Sequence, residues 1–575
     1  MKPTEKATSL TPCSCKTSAE KSIVNWTKKV VLSTMRLITL VGLFMLSTSY
    51  QGHRKELLLM ENEMFLPALK DNMTDFFRQM NSAGSHALYH TSFRTLPLIK
   101  DFYSKQNYRP VWTNNTVILD QAVVLLGLLD KAELYGLKTS LFPVREIRNE
   151  MELMKNRDIR SNYLTSRMNL EFLLTDASLR FMVFLKMGYH EFDSTLFSLP
   201  AAASLPLYLI SALASDDFEN RLLSVQPVFI EYRKLQQALV KFLCNIERDN
   251  VRVSVPDPSK DSALFRKTIE EVLINLGYLQ PGSTDESFIT SLKKFQYCHG
   301  LEPDGQPGKN TRESLVQSTE DRYRQIALNL DRLRKENLQG EQFIYVNIPA
   351  YQMRIYKKNA IIGNSKVIVG AVKTPTPLVS SKIERIITNQ EWQVPRSITL
   401  DEMLPKLKSD SGYLNRNRLR MIDKNRNTVA YNQVDWNTVS AETFDLIIKQ
   451  ESGKDNSLGC VKFVFPNPYS IFLHDTPAKQ SFSKDFRALS HGCVRVQHPE
   501  MLADYLVREF SRQNHDVDII SMINKGIHRE IALNTPVDLY IHYLTCEADE
   551  ELNLFFYKDI YGIDEIELKK LELLQ

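Results

Sequence analysis

The chain carries little net charge for its size: 72 basic against 68 acidic side chains leave +4 over 575 residues. So small an excess gives no reason to expect a polyanionic partner, and nucleic acid is excluded on that ground. A cysteine framework is missing too. The seven thiols, Cys13, Cys15, Cys244, Cys298, Cys460, Cys493 and Cys546, are scattered, and their odd number is compatible with one free reactive thiol. Long apolar runs are scarce. About 20 apolar residues span a bilayer comfortably, and the best stretch, residues 30–46, is shorter and diluted by Arg36 and several hydroxyls. What remains is ordinary globular material, 43% apolar and 24% charged, in a chain too long for one core. Two to four domains are expected.

The stretch at 30–46 follows Lys28 and Lys29, with more lysines upstream. A basic flank before an apolar run reads as a signal anchor with its basic end in the cytoplasm, or as a cleaved signal peptide. Ser47-Thr48-Ser49 is a poor cleavage site, which favours the anchor, and no cysteine follows to carry a lipid. Either way the bulk of the chain is exported. Cys13 and Cys15 precede the run and stay on the reducing side if it crosses a membrane.

Chemistry is concentrated between residues 459 and 496. Val461, Phe463 and Phe465 alternate, Pro466-Asn467-Pro468 breaks the run, and Ile471 and Leu473 resume it, the pattern of a hairpin or two short core strands. His474 stands at the exit of the second strand. After fifteen polar, turn-like residues comes Ser490-His491-Gly492-Cys493. An imidazole can convert a thiol to the nucleophilic thiolate, and His474 can meet Cys493 if the intervening loop folds back. Gly492 lets the backbone approach a substrate carbonyl, with neighbouring amides aimed at a developing oxyanion. His491 could orient a group or a substrate. Two other readings stay open: a buried cysteine that is inert packing, and a zinc site from His474, His491, Cys493 and His498, which lacks the paired spacing of closed sites.

The order of these residues resembles the signature of the L,D-transpeptidases, the YkuD-type cysteine enzymes of bacterial cell walls. Matching blocks run in order: Asn456-Ser457-Leu458-Gly459, Val461-Lys462-Phe463, Phe465-Pro466-Asn467, Leu473-His474-Asp475-Thr476-Pro477, and Arg487-Ala488-Leu489-Ser490-His491-Gly492-Cys493-Val494-Arg495. The text is similar to the large, multidomain branch of that family from about residue 95 to about 565. Many members have Asn two places after the cysteine, where this chain has Arg495.

Helical patterns dominate residues 60–255, with apolar stretches at 123–129 and 170–185 too long for strands. Phe102-Tyr103, Val111-Trp112 and Leu173-Leu174-Thr175-Asp176-Ala177 resemble the scaffold of the large branch. Residues 250–260 read as a linker. Residues 262–318 suggest three helices, with Asp304-Gly305-Gln306-Pro307-Gly308 as a turn and Thr311 as the cap of the last. They resemble a small peptidoglycan-binding module; a plain three-helix spacer is the alternative. Residues 324–334 look like a charged connecting helix. From Phe343 the period becomes two, opening a catalytic domain over 340–520. Within it, 396–457 turns helical and polar, the expected capping insertion. An amphipathic helix follows at 499–510, and strands at 537–544 and 554–556, within 521–575, are expected to complete the sheet.

The expected architecture is therefore α+β and multidomain: a basic N-terminus (1–28), a signal segment (29–49), a helical scaffold, a small wall-binding module, and a β-sandwich-like catalytic domain. The resemblance implies transfer between peptidoglycan stem peptides. Cys493 would attack the third residue of a tetrapeptide donor, D-Ala would leave, and the side-chain amine of a second stem's diamino acid would resolve the thioester into a 3→3 cross-link. His474 would be acid and base. Ser490, His491, Gly492 and Arg495 would support the site, and Asp475, read as exposed, could fix His474. No metal or cofactor is required, and carbapenem β-lactams would acylate the cysteine. The rivals are an L,D-carboxypeptidase with the same acyl-enzyme, transfer to another amine, and a non-enzymatic wall-binding scaffold.

Overall fold

A computed structural model describes residues 66–78, 95–114, 117–155, 163–189, 200–336, 338, 340–511 and 517–573. The basic N-terminus and the apolar stretch at 30–46 lie outside them. None of the described helices is long and apolar enough to cross a membrane.

The N-terminal part is helical, as its periodicity implies. Its centre is α1, Tyr163–Met187, whose residues are buried on every side between Leu170 and Leu185. A helix without a wet face must sit inside a core. Polar residues within it find partners there. Glu171 accepts the backbone N–H groups of Val111 and Trp112 at 2.8 and 3.0 Å and the Thr113 hydroxyl at 2.7 Å, while Asp176 pairs with Arg180. A second helix, α2 (Ile230–Asn245), closes this region.

Three further helices, Ser262–Asn275, Asp285–Cys298 and Lys309–Leu315, enclose a small core of their own around Leu273, Leu292 and Phe295. The last helix is capped by Gly308 rather than by Thr311. Thr311 is buried inside the helix and accepts from Gln296 at 3.2 Å.

The expected connecting helix is a structural axle. α3 (Thr319–Lys335) starts at a capping box between Ser318 and Asp321 and buries Arg322, Asn329, Asp331 and Arg334. Its charges are internal because each meets a partner. Arg332 pairs with Asp564 at 2.7 Å and Glu567 at 2.6 Å, and Gln325 donates to the carbonyls of Thr545 and Tyr557.

The C-terminal half is a nine-stranded mixed sheet. Its strands are β1 (Gln342–Asn347), β2 (Gln352–Lys357), β3 (Ala360–Gly370), β4 (Val379–Thr388), β5 (Val461–Val464), β6 (Leu473–His474), β7 (Ala488–Ser490), β8 (Val494–Val496) and β9 (Arg529–His542). The order is β7-β3-β8-β6-β5-β4-β9-β1-β2, and β2 also pairs with β3. The first half of β3 bonds β2 and the second half bonds β8 and β7, so the sheet folds over and faces itself. Between the layers lie Ile344, Val369, Ile386, Phe463, Leu473 and Val494. The amphipathic helix α4 (Pro499–Phe510) covers this core with Leu502 and Leu506.

Two expectations change here. The insertion is a mixed unit rather than a helical one. Short helical turns from Arg396 to Ser409 and at Tyr413–Arg416 pack on a four-stranded antiparallel sheet of Trp392–Gln393, Ile447–Gln450, Leu419–Ile422 and Thr428–Val429. Arg418 at φ 53° stops the helix, after which Leu419 and Met421 alternate inward, a period of two hidden in a short polar stretch. The strand Leu554–Phe556 does not join the main sheet. It pairs with Cys546–Ala548 in a separate ribbon, whose Cys546, Ala548 and Phe556 lie in the hydrophobic cluster shared with α2 and α3. β9 does join, between β4 and β1.

Candidate active site

β5 and β6 are antiparallel neighbours, and β8 runs parallel to β6 on its far side. The register sets Lys462 opposite His474 and His474 opposite Arg495. Phe463, Leu473 and Val494 point into the core. Alternation therefore puts Lys462, His474 and Arg495 in one row on the other face. One step back, the Val494 amide donates to the Phe472 carbonyl at 3.0 Å, which sets Cys493 beside Phe472. The loop does fold back as the sequence required, because β6 and β8 are adjacent. Among the described residues, no hydrogen bond joins the Cys493 sulfur to His474.

His474 is buried, and its Nδ1 donates to the carbonyl oxygen of Asp475 at 2.5 Å. Burial, and then the nearby Arg495 charge, lower its pKa to about 4. The imidazole is thus neutral at pH 7 and free to accept a proton. Burial pushes the Cys493 thiol up, while the Phe472 amide, Lys462 and Arg495 pull it down. The resting pair is a thiol and a neutral imidazole.

Asp475 was expected to be exposed and to fix His474 through its carboxylate. It is buried instead. The carboxylate accepts the amides of Cys460 at 2.9 Å and Thr476 at 2.7 Å and the Lys479 ammonium at 2.5 Å. The imidazole is held by the carbonyl of Asp475, a function no side-chain pattern reveals. Gly459 lies against this carboxylate at φ 61°, and a Cβ there would land on it.

The turn that carries Cys493 is clamped. Ser490 Oγ donates to the Cys493 carbonyl at 2.5 Å and accepts the Gly492 amide at 3.2 Å. The Gly492 N–H is therefore engaged within the turn, while among the described residues the Cys493 N–H has no such bond. Gly492 sits at φ 110°, a conformation that favours glycine. Its carbonyl accepts from Thr376 Oγ1 at 2.9 Å, and the Ser490 carbonyl accepts from Thr374 Oγ1 at 3.0 Å. Tyr561, from the C-terminal segment, donates to the Gly370 carbonyl at 2.7 Å and accepts the Thr376 amide at 3.1 Å.

His491 is exposed and turns away from the sulfur, its Nε2 meeting the carboxylate of Glu402 in the insertion. His498 lies near Glu500 at 3.5 Å. Among the described residues, no group of three or more His, Cys, Asp and Glu side chains is placed to hold a metal ion, so the four residues of the zinc reading do not converge. Sequence reasoning missed Glu402, Thr374, Thr376 and Tyr561, which reach the site only through the fold. It also gave Lys462 no role, although a lysine amid inward-facing Val461 and Phe463 must stand on the opposite face.

Residues 341–537 match the YkuD family model, described as "L,D-transpeptidase catalytic domain". The chain carries a YkuD-type L,D-transpeptidase domain. Residues 97–239 match the model of a "Scaffold domain" and residues 264–315 that of a "Putative peptidoglycan binding domain". A curated relative from Haemophilus influenzae, named "Putative L,D-transpeptidase", is 34% identical over 239 residues, 42% of this chain and 48% of that protein. The chain thus spans about half the length of the curated relative it matches. The order of scaffold, wall-binding-type module and L,D-transpeptidase domain is the one the sequence resemblance implied, and the overall class is α+β and multidomain.

Proposed function

We propose that this chain is a cell-wall L,D-transpeptidase that makes 3→3 peptidoglycan cross-links through a thioester on Cys493. The observation that carries the reading is the placement of Cys493 on a clamped turn, one strand from a buried neutral imidazole. His474 takes the thiol proton as sulfur adds to the carbonyl of the donor's third residue. Nδ1 is committed to Asp475, and Nε2 is assigned as the base, with the Leu458 carbonyl also near the ring. The free Cys493 N–H faces the developing oxyanion. Collapse expels D-Ala, whose nitrogen receives the proton from His474. The side-chain amine of a second stem then adds to the thioester, loses its proton to His474, and the thiol is released. Burial on the ring side and the insertion above His491 limit water, which favours the amine over hydrolysis.

The location that fits is the cell envelope, with the signal segment at 29–49 placing the rest outside the cytoplasm as an anchor. Incubating the protein with a disaccharide-tetrapeptide and weighing the products tests the function. A dimer lighter than two donors by one D-Ala supports it. Tripeptide and free D-Ala without dimer would make the chain an L,D-carboxypeptidase, and no consumption at all would leave a wall-binding scaffold.

A further inference from the structure

Lys462 and Arg495 stand on either side of His474, on the face that carries Cys493. Both are half-buried. Neither forms a salt bridge or a hydrogen bond through its charged group among the described residues. The Lys462 ammonium rests 3.4 Å from the centre of the Phe472 ring, and Nε of Arg495 is buried with no partner. Burial lowers the pKa of both, and for each the sulfur of Cys493 acts in the opposite direction. Other buried cations in the chain have polar partners: Arg354 pairs with Glu547 at 2.7 Å, Arg332 with Asp564 and Arg180 with Asp176, and Arg322 is held by His299 and the Ser314 carbonyl. Two unpaired, partly desolvated cations in one row are costly unless an anion completes them.

We infer that Lys462 and Arg495 form a carboxylate-binding site for the donor peptide, holding the terminal carboxylate of the residue that leaves. The identity of that anion rests on the function proposed above. In a tetrapeptide donor the D-Ala carboxylate is separated from the attacked carbonyl carbon only by the D-Ala nitrogen and α-carbon. It must lie close to the sulfur when attack occurs. Cations there hold the donor before the bond breaks, and they repel a protonated acceptor amine. The two substrates are thus sorted by sign.

The test uses small probes on the full chain. Iodoacetate and iodoacetamide alkylate the same thiolate and differ in a carboxylate. Their rate ratio at Cys493, followed by peptide mapping, cancels the fraction of thiolate. The ratio in the parent should exceed that of a free thiol by about tenfold or more, within the ~10–10³ range of charge-focused encounter. Lys462→Met and Arg495→Met should each lower it, and Lys462→Arg should restore most of it. With stem peptide, the free acid should lose kcat/KM in Lys462→Met far more than a C-terminally amidated tetrapeptide does. Equal slowing of both probes would mean that the cations act on the thiolate alone and would overturn the inference. A retained iodoacetate preference in a protein that makes no cross-links would instead leave the site standing and remove the function assigned to it.

Discussion

Nδ1 of His474 is bound to the backbone carbonyl of Asp475, the next residue in the chain, at 2.5 Å. Orientation of the imidazole thus depends on the path of the backbone and not on a carboxylate. Asp475→Asn should therefore leave the ring in place. It should weaken the fold, because an amide NH2 would face one of the amides of Cys460 and Thr476 and the charge on Lys479 would lose its partner. A loss of roughly 1–3 kcal/mol is expected in urea denaturation, with alkylation of Cys493 changed severalfold at most. Collapse of reactivity at unchanged stability would return the orienting role to the carboxylate.

The buried imidazole also fixes a pH dependence. Its folded pKa is lowered to about 4 from an ordinary value near 6.5. The unfolded chain thus binds the proton first as pH falls, and stability that is complete above pH 6.5 is lost down to about pH 4. The shift corresponds to roughly 3 kcal/mol. His299, buried and also depressed by burial, contributes in the same direction, so the comparison must be between the parent and His474→Ala. The variant should lose less stability than the parent between pH 6.5 and 4. In activity, the acidic limb of kcat/KM should fall near pH 4 rather than near 6.5.

For the nucleophile, Cys493→Ala should abolish covalent labelling by a carbapenem, while Cys460→Ala and Cys298→Ala retain it. Cys298 is raised by burial, and Cys460, immediately before the strand next to β6, is raised by burial and by the Asp475 carboxylate. His474→Ala should slow acylation roughly 10²–10⁴-fold. An intact-protein mass shift that persists in Cys493→Ala would remove the assignment.

Glu402 and His491 join the insertion to the catalytic turn. Both side chains are about half exposed, 44% and 47%, so the pair stabilises the fold little. Its effect should show where the insertion must close over a large substrate. Glu402→Gln and His491→Ala should each raise KM for stem peptide and leave alkylation of Cys493 by iodoacetamide nearly unchanged. If His491→Ala shifted the pH profile of alkylation instead, His491 would be the base.

Much of this site is legible in the sequence. The hairpin of β5 and β6 followed from alternation and the Pro-Asn-Pro break, and the strand of His474 lies next to the strand that follows Cys493. The helical scaffold followed from long apolar runs. What stayed hidden depends on tertiary context. The sequence marks α3 as a charged connecting helix, and only the fold shows Arg322, Asp331 and Arg334 buried against partners from other elements. Leu419 and Met421 form a strand too short to set a period. The carbonyl of Asp475 holds the imidazole, and every residue has a carbonyl, so no residue type signals it.

Tyr561 lies beyond the residues matched by the L,D-transpeptidase model, yet its hydroxyl joins the two ends of the loop that supports the catalytic turn. It donates to the Gly370 carbonyl and accepts the Thr376 amide. Thr376 in turn donates to the carbonyl of Gly492, next to Cys493. The loop has little other freedom, since a Cβ on Gly370 would strike the backbone of Thr374. Removing one hydroxyl should cost about 1 kcal/mol of stability, the net worth of an ordinary hydrogen bond. A misplacement of the turn, however, acts directly on the attack geometry. Tyr561→Phe should therefore lower kcat for cross-linking by about tenfold, with KM and the denaturation midpoint little changed, and Thr376→Val should reproduce the effect. The double variant should be no worse than the poorer single one, because both break the same path. Fully multiplicative losses would mean that Tyr561 reaches the turn by another route.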